Sequence, residues 1–291
     1  MDSSLLNAAL WGLGVFSALG LLFGVGLGIA AERFKVQSNP LVDRVRDRLP
    51  SANCGACGYA GCTAYAEAVV ANPAVSPSLC IPGRESVAKA VAELTGKDAG
   101  SVQDRIVVMT CHGTSAYARN EAEYAGIPTC AAAALVFGGP RACKNGCLGL
   151  GDCVRACPFE ALSIAPGGIA QVDTAKCTGC AVCVSVCPKD LFKLYPRGRR
   201  VELACKAVDK QAIVRATCMV GCTLCRKCVS KCPAGAIEWD GRTILIDHDK
   251  CIAYGDACGY ACAEICPSTI IHRVGQSPEP ELVEISEPTG A

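Results

Sequence analysis

Two runs of cysteine carry the chemistry of this chain. Cys177, Cys180, Cys183 and Cys187 are followed by Pro188, and Cys222, Cys225, Cys228 and Cys232 are followed by Pro233. Both read C-x2-C-x2-C-x3-C-P, a spacing that holds [4Fe–4S] cubanes. Three thiolates on a short loop cap three irons of one cubane. The fourth, a helical turn later, ligates the other cluster of a pair, and Pro turns the chain away. The chemistry expected is one-electron transfer.

Each run has a stretched counterpart. Cys143, Cys147, Cys153 and Cys157 precede Pro158, and Cys251, Cys258, Cys262 and Cys266 precede Pro267. Between the members of each pair lie two short alternating segments. The first pair is 161–164 and 169–173 around Pro166-Gly167-Gly168. The second is 236–239 and 243–247 around Asp240-Gly241. Both read as β-hairpins, so the chain predicts two tandem two-cluster ferredoxin-like modules, an internal repeat. With the fourth cysteine crossing over, four ligand sets follow. They are Cys143, Cys147, Cys153 and Cys187; Cys177, Cys180, Cys183 and Cys157; Cys222, Cys225, Cys228 and Cys266; and Cys251, Cys258, Cys262 and Cys232.

A fifth set stands nearer the N-terminus: Cys54, Cys57 and Cys62 in a Gly- and Ala-rich loop, and Cys80 beyond. Small residues there let amides point at sulfur, which tunes the potential. Five [4Fe–4S] clusters leave Cys111, Cys130, Cys205 and Cys218, the number one further cubane requires. These four are the candidate ligands of a sixth cluster bridging the modules. Trp239 is expected to pack on its hairpin. His112, His248 and His272 have no ligating spacing and are expected at the surface or beside ligands.

Composition supports metal over its rivals. The chain has 24 cysteines in 291 residues and a net charge of +1. Disulfide-dense scaffolds are short and secreted, and zinc favours separated C-x2-C pairs. Free thiols imply a reducing, cytoplasmic setting. No long basic run or aromatic platform points to nucleic acid. No G-x-G-x-x-G or Walker motif points to a bound nucleotide, and no acid–base catalytic site is evident.

The elements that position these thiols begin with an anchor. Ser3 to Ala31 contains no charged residue. As a helix at about 1.5 Å per residue it reaches roughly 43 Å, more than a ~30 Å hydrocarbon core requires. Asp2 and the length disfavour a signal peptide. Arg33, Lys35, Arg44, Arg46 and Arg48 follow, which places the N-terminus outside and the cysteines on the cytoplasmic side. Gly20, Gly24 and Gly28 form a small-residue stripe suited to close helix packing.

The expected architecture is α+β. It comprises a transmembrane helix (1–32), a four-cysteine domain (33–97), a first ferredoxin-like module with its preceding segment (98–200), a second module (201–273) and a disordered tail (274–291). Residues 41–49 read as a short amphipathic helix, 63–70 as a helix and 106–109 as a strand.

This order of parts resembles the B component of the Rnf complex, the ion-translocating ferredoxin:NAD oxidoreductase of prokaryotic membranes. The resemblance rests on the apolar helix, the loop 53–62, Cys130 with its three alanines, residues 146–153 and the tandem motifs. It runs to about Ile271 and is to the longer, cysteine-rich form. It implies reduced ferredoxin as electron donor and integral-membrane and flavin-containing subunits as partners. It also implies a place in the cytoplasmic membrane and coupling to Na⁺ or H⁺ movement. A ferredoxin-type subunit of another membrane-associated oxidoreductase is the alternative. Lys189, Lys193, Arg197, Arg199 and Arg200 are the basic patch expected to steer an acidic ferredoxin.

Overall fold

The computed structural model describes residues 3–34, 39–102 and 104–275. The chain divides into two units, Met1–Asp43 and Arg44–Ala291. The first is dominated by α1 (Ser3–Arg33). Its Leu10–Arg33 portion, whose 18-residue apolar window has a mean hydropathy of 2.1, is long and apolar enough to cross a membrane. Beyond the helix's own backbone, no described atom lies within 4 Å of where a Cβ would stand on Gly20, Gly24 or Gly28. The expected short helix forms as α2 (Pro40–Arg46). The tail lies, from residue 276, outside the described residues.

In the second unit the loop that carries Cys54 and Cys57 leads into α3 (Cys62–Ala71). Gly61 starts this helix without a side-chain cap of its own. Asn53, nine residues earlier, supplies one: its Oδ1 accepts from the Cys62 amide at 2.9 Å. That satisfies a donor that a helix N-terminus leaves free. At the other end Lys97 Nζ donates to the carbonyls of Val69, Asn72 and Val75 at 2.6, 2.7 and 2.9 Å. A cation there complements the helix dipole. α4 (Arg84–Thr95) follows and ends at Gly96 in the left-handed region.

The two modules repeat one plan. In the first, β1 (Arg105–Met109) is followed by α5 (Cys130–Leu135) and α6 (Asp152–Arg155). Then come the hairpin β2 (Leu162–Ile164) and β3 (Ala170–Val172), α7 (Val182–Val186) and β4 (Phe192–Pro196). In the second, β5 (Val201–Leu203) is followed by α8 (Gln211–Thr217) and α9 (Lys227–Lys231). The hairpin β6 (Ile237–Trp239) and β7 (Ile244–Ile246) leads to α10 (His248–Tyr254), α11 (Ala261–Glu264) and β8 (Ile271–Arg273).

Each module therefore has an inner hairpin and an outer pair. β2 pairs with β3 and β6 with β7, while β1 pairs antiparallel with β4 and β5 with β8. The outer pairs need a partner about 70 to 90 residues away, so periodicity alone does not reveal them. Their hydrogen bonds repeat as well. The Thr110 amide donates to Leu191 and the Ala204 amide to Ile270, both at 2.8 Å.

Just past β1 and β5 the modules join. Cys111 and Cys205 face each other in an antiparallel bridge, Ala118 bridges Cys218, and His112 N–H donates to Ala204 at 3.1 Å. Each module has its own core, and in both the ligand cysteines are core residues: Cys147, Cys153, Cys177 and Cys183 in one, Cys228 and Cys262 in the other.

Candidate iron-sulfur centres

Three of the expected sets each surround one cavity. Cys157, Cys177, Cys180 and Cys183 line the first, with Val107 and Leu162 as apolar walls. Cys222, Cys225, Cys228 and Cys266 line a second. Cys232, Cys251, Cys258 and Cys262 line a third. The helix pairs α6–α7 and α9–α11 pack together and bring the distant cysteines into reach. Among the described residues no three His, Cys, Asp or Glu side chains converge on a single-ion site. The thiols ring volumes rather than points, which suits a cubane whose iron and sulfide corners occupy space.

The remaining sets depart from the expected grouping: Cys130 and Cys143 exchange places. Cys143 lines a cavity with Cys111, Cys205 and Cys218 at the junction of the modules. Cys130 sits instead with Cys147, Cys153 and Cys187. Burial first, and then the neighbouring Cys147, Cys130 and Cys187, push the Cys153 thiol up to about 12.

The cause of the exchange is tertiary. Thr129 caps α5, its Oγ1 accepting from the Ala132 amide at 3.2 Å. Asp152, next to Cys153, accepts from the Ala131 amide, next to Cys130, at 3.0 Å. Those bonds tie the start of α5 to the start of α6. Meanwhile Asn120 bridges Arg141, the Ala142 amide donates to Arg119, and Arg141 reaches the Gly113 carbonyl. Cys143 is thereby drawn to the junction.

Cys54, Cys57, Cys62 and Cys80 form the fifth group. Burial and then the Cys62, Cys57 and Cys54 thiols act on Cys80, which is raised to about 11. Gly55 and Gly58 take left-handed backbone at φ 71° and 86° to turn the loop. The domain is held to the first module by Arg84, which donates to the Cys177 carbonyl at 3.2 Å. Gly179, at φ +75°, lies so close to β1 that a Cβ there would overlap the Arg105 carbonyl oxygen. An L-residue in that conformation costs about 1–2 kcal/mol before the overlap is counted. Gly179→Ala is expected to lower the thermal midpoint by more than about 2–4 °C, measured with the clusters in place. An unchanged midpoint would show that the loop is not held there.

The six groups are largely buried or half-buried, Cys225 alone being exposed among the 24 cysteines, and burial is the largest influence on several of their thiols. It pushes Cys183 and Cys205 up to about 12 and Cys111, Cys228 and Cys262 up to about 11. Crowded neutral thiols become thiolates only when a metal takes them, so occupancy couples to proton release. Backbone amides are already aimed at sulfur. Cys205 Sγ accepts from Cys222 and Ala207 at 3.3 and 3.4 Å, Cys157 Sγ from Ala161 at 3.4 Å, and Cys177 Sγ from Val107 at 3.5 Å.

The thiols also show which groups adjoin. After burial, Cys54 is among the groups that act on Cys180, Cys153 acts on Cys183, Cys147 on Cys111, and Cys222 on Cys205. The groups thus stand in file: the N-terminal set, then Cys157/177/180/183, then Cys130/147/153/187, then Cys111/143/205/218, then the second module.

One other expectation is corrected. The basic patch is not free. Lys189 donates to the carbonyls of Gly138 and Lys144, both at 2.7 Å, and Lys193 pairs with Asp190 at 2.8 Å. Arg197 pairs with Asp104 at 2.8 Å and donates to the carbonyls of Thr174 and Cys177. Arg199 is buried on Glu202, and Arg200 binds Asp256 and Gly255. These cations tie segments together. Of the histidines, His248 and His272 are buried and His112 directly follows Cys111. His272 stacks on His112 at 4.9 Å and His248 leans on Tyr195 at 4.1 Å.

A scaffold of buried cysteine groups in file defines an iron–sulfur electron-transfer protein. Comparison with known proteins agrees. Residues 49–82 match a family of Fe-S cluster domains, and residues 142–194 and 221–270 match families of 4Fe-4S dicluster domains. Three relatives match most of the chain, each the B component of its complex. The chain is 42% identical over 269 residues to that of the proton-translocating ferredoxin:NAD(+) oxidoreductase complex of Clostridium ljungdahlii, covering 92% of this chain and 94% of the relative. It is 41% identical over 271 residues to that of the ion-translocating oxidoreductase complex of Methanosarcina acetivorans, covering 93% and 99%. It is 41% identical over 267 residues to that of the Na(+)-translocating ferredoxin:NAD(+) oxidoreductase complex of Acetobacterium woodii, covering 92% and 78%. The chain belongs to the family of B components of the Rnf-type ion-translocating oxidoreductase complexes, as their iron–sulfur electron-transfer subunit.

Proposed function

We propose that this chain takes electrons from reduced ferredoxin and passes them to integral-membrane and flavin-containing subunits of an Rnf-type complex. There they reduce NAD while Na⁺ or H⁺ is moved. The observation that carries this reading is the file of six cysteine groups, which leads from the second module back to the domain that follows the apolar helix. Six [4Fe–4S] clusters, one per group, supply the one-electron carriers. The chain's own part is to hold them in order, exclude water and aim amides at sulfur. The helix anchors it in the cytoplasmic membrane with the cysteines on the inner side, in keeping with the basic residues after it.

Iron and acid-labile sulfide per chain, with zinc as control, test the cluster count on anaerobically prepared full-length protein. About 24 irons are expected from six cubanes. About 20 would remove the junction from the path, and zinc in place of iron would overturn the electron-carrier reading.

A further inference from the structure

With the expected basic patch spent on internal ion pairs and hydrogen bonds, a different face combines unpaired cations with a cluster ligand. Cys225 is the exposed thiol among the 24 cysteines. It sits in the segment Cys225-Arg226-Lys227-Cys228 at the start of α9, and Lys231 ends that helix. Arg226, Lys227 and Lys231 are all exposed. None has a carboxylate within ion-pair distance among the described residues. Arg226 lies over the Trp239 ring at 5.7 Å. That contact steadies the guanidinium and leaves its charge uncompensated. The acid on the neighbouring strand β6 is committed elsewhere, since Glu238 pairs with Lys250 at 3.0 Å. Left-handed backbone at Leu224 and Arg226, φ 53° and 57°, turns this loop outward.

We propose that the Cys225 face of the second module is the docking surface for an acidic electron-carrying protein, and that electrons enter the file there. This rests on the reading above and names its point of entry. The chemistry is complementary on two counts. Three uncompensated cations within six residues attract a partner of net negative charge and raise its on-rate. An exposed thiol in a ligand set lets an incoming redox centre come close to the cluster that set would hold. The position also fits the file: Cys225 shares its cavity with Cys222, whose amide donates to the junction thiol Cys205 at 3.3 Å, so electrons entering there stand next to the junction and on the far side of it from the four-cysteine domain. A transient redox encounter of this kind needs only a small interface.

The test uses the whole complex in membranes, assayed with a reduced, acidic two-cluster ferredoxin, and compares Arg226→Glu/Lys227→Glu/Lys231→Glu with the parent chain. The apparent KM for ferredoxin at low salt should rise at least tenfold, and the difference should shrink as ionic strength increases. The neutralising variant Arg226→Gln/Lys227→Gln/Lys231→Gln, which disturbs α9 less, should give an intermediate rise. The distant reversal Lys89→Glu should give none.

Reduction by dithionite reports the clusters themselves. If it is lost along with iron in the Glu variant, the Gln variant decides. If the parent chain itself shows no dithionite-reducible clusters, the cluster reading fails rather than the docking face. An unchanged KM in an iron-replete variant overturns the proposal. So does loss of complex assembly with KM intact in what assembles, since the face would then belong to a partner subunit.

Discussion

Replacing Cys143 and Cys205 together should remove about four irons per chain, no more than either replacement alone. The reason is that both thiols line the cavity at the junction of the modules, so each single change already empties it. Replacing Cys130 and Cys205 together should instead remove about eight, because Cys130 stands with Cys147 and Cys153. Grouping by spacing alone predicts the reverse, four for Cys130 with Cys205 and eight for Cys143 with Cys205. The double alanine variants therefore discriminate between the two groupings by iron analysis, with the singles as controls. The functional consequence is as large. The junction group adjoins Cys147 of the first module and Cys222 of the second. Emptying it should stop electrons from reaching the four-cysteine domain, seen as a second module that reduces while the rest stays oxidised.

The second large effect falls on Arg141. Its side chain is buried at 6% exposure. It donates to the carbonyls of Gly113 and Gly168, the latter at 3.1 Å. Among the described residues it has no carboxylate partner. A buried charge without a counter-charge is costly. The groups that can carry negative charge around this guanidinium are thiols: it acts on Cys111, Cys147 and Cys218, which belong to two different sets. Cysteine-ligated cubanes are negative, and a nearby cation favours the more negative, reduced state. Arg141→Met should lower the midpoint potentials of two clusters by on the order of 60 mV, a tenfold change for one electron. Arg141→Lys, which keeps the charge, should shift them much less. Redox titration followed by electron paramagnetic resonance checks this. Unchanged midpoints in an iron-replete Met variant would leave Arg141 with a packing role. If Lys and Met variants lose iron equally, the guanidinium's hydrogen bonds matter and its charge does not.

Much of this protein is written in local sequence. The ferredoxin spacing, the Pro after each fourth cysteine, the inner hairpins and the apolar helix are short-range signals. The structure forms hairpins at 162–172 and 237–246 and a helix at Ser3–Arg33. Three of the four module sets line single cavities in the grouping that spacing predicts. Loop geometry over a few residues gathers three thiols of each set, and the crossing fourth arrives with the helix pairs α6–α7 and α9–α11.

What spacing could not reach is which elements outside the ferredoxin repeat meet in space. The outer strand pairs β1–β4 and β5–β8 are too short and too distant to announce themselves. Lysines and arginines that look like a docking patch turn out to be the ties between segments, because a charge run says nothing about which carboxylates and carbonyls fold against it. The exchange of Cys130 for Cys143 is decided by an Asp152–Ala131 hydrogen bond across 21 residues and by the strand-like bridge that pulls Arg141 toward Asn120. A thiol's type and count are local properties, but which group it joins is settled by the elements that carry it there.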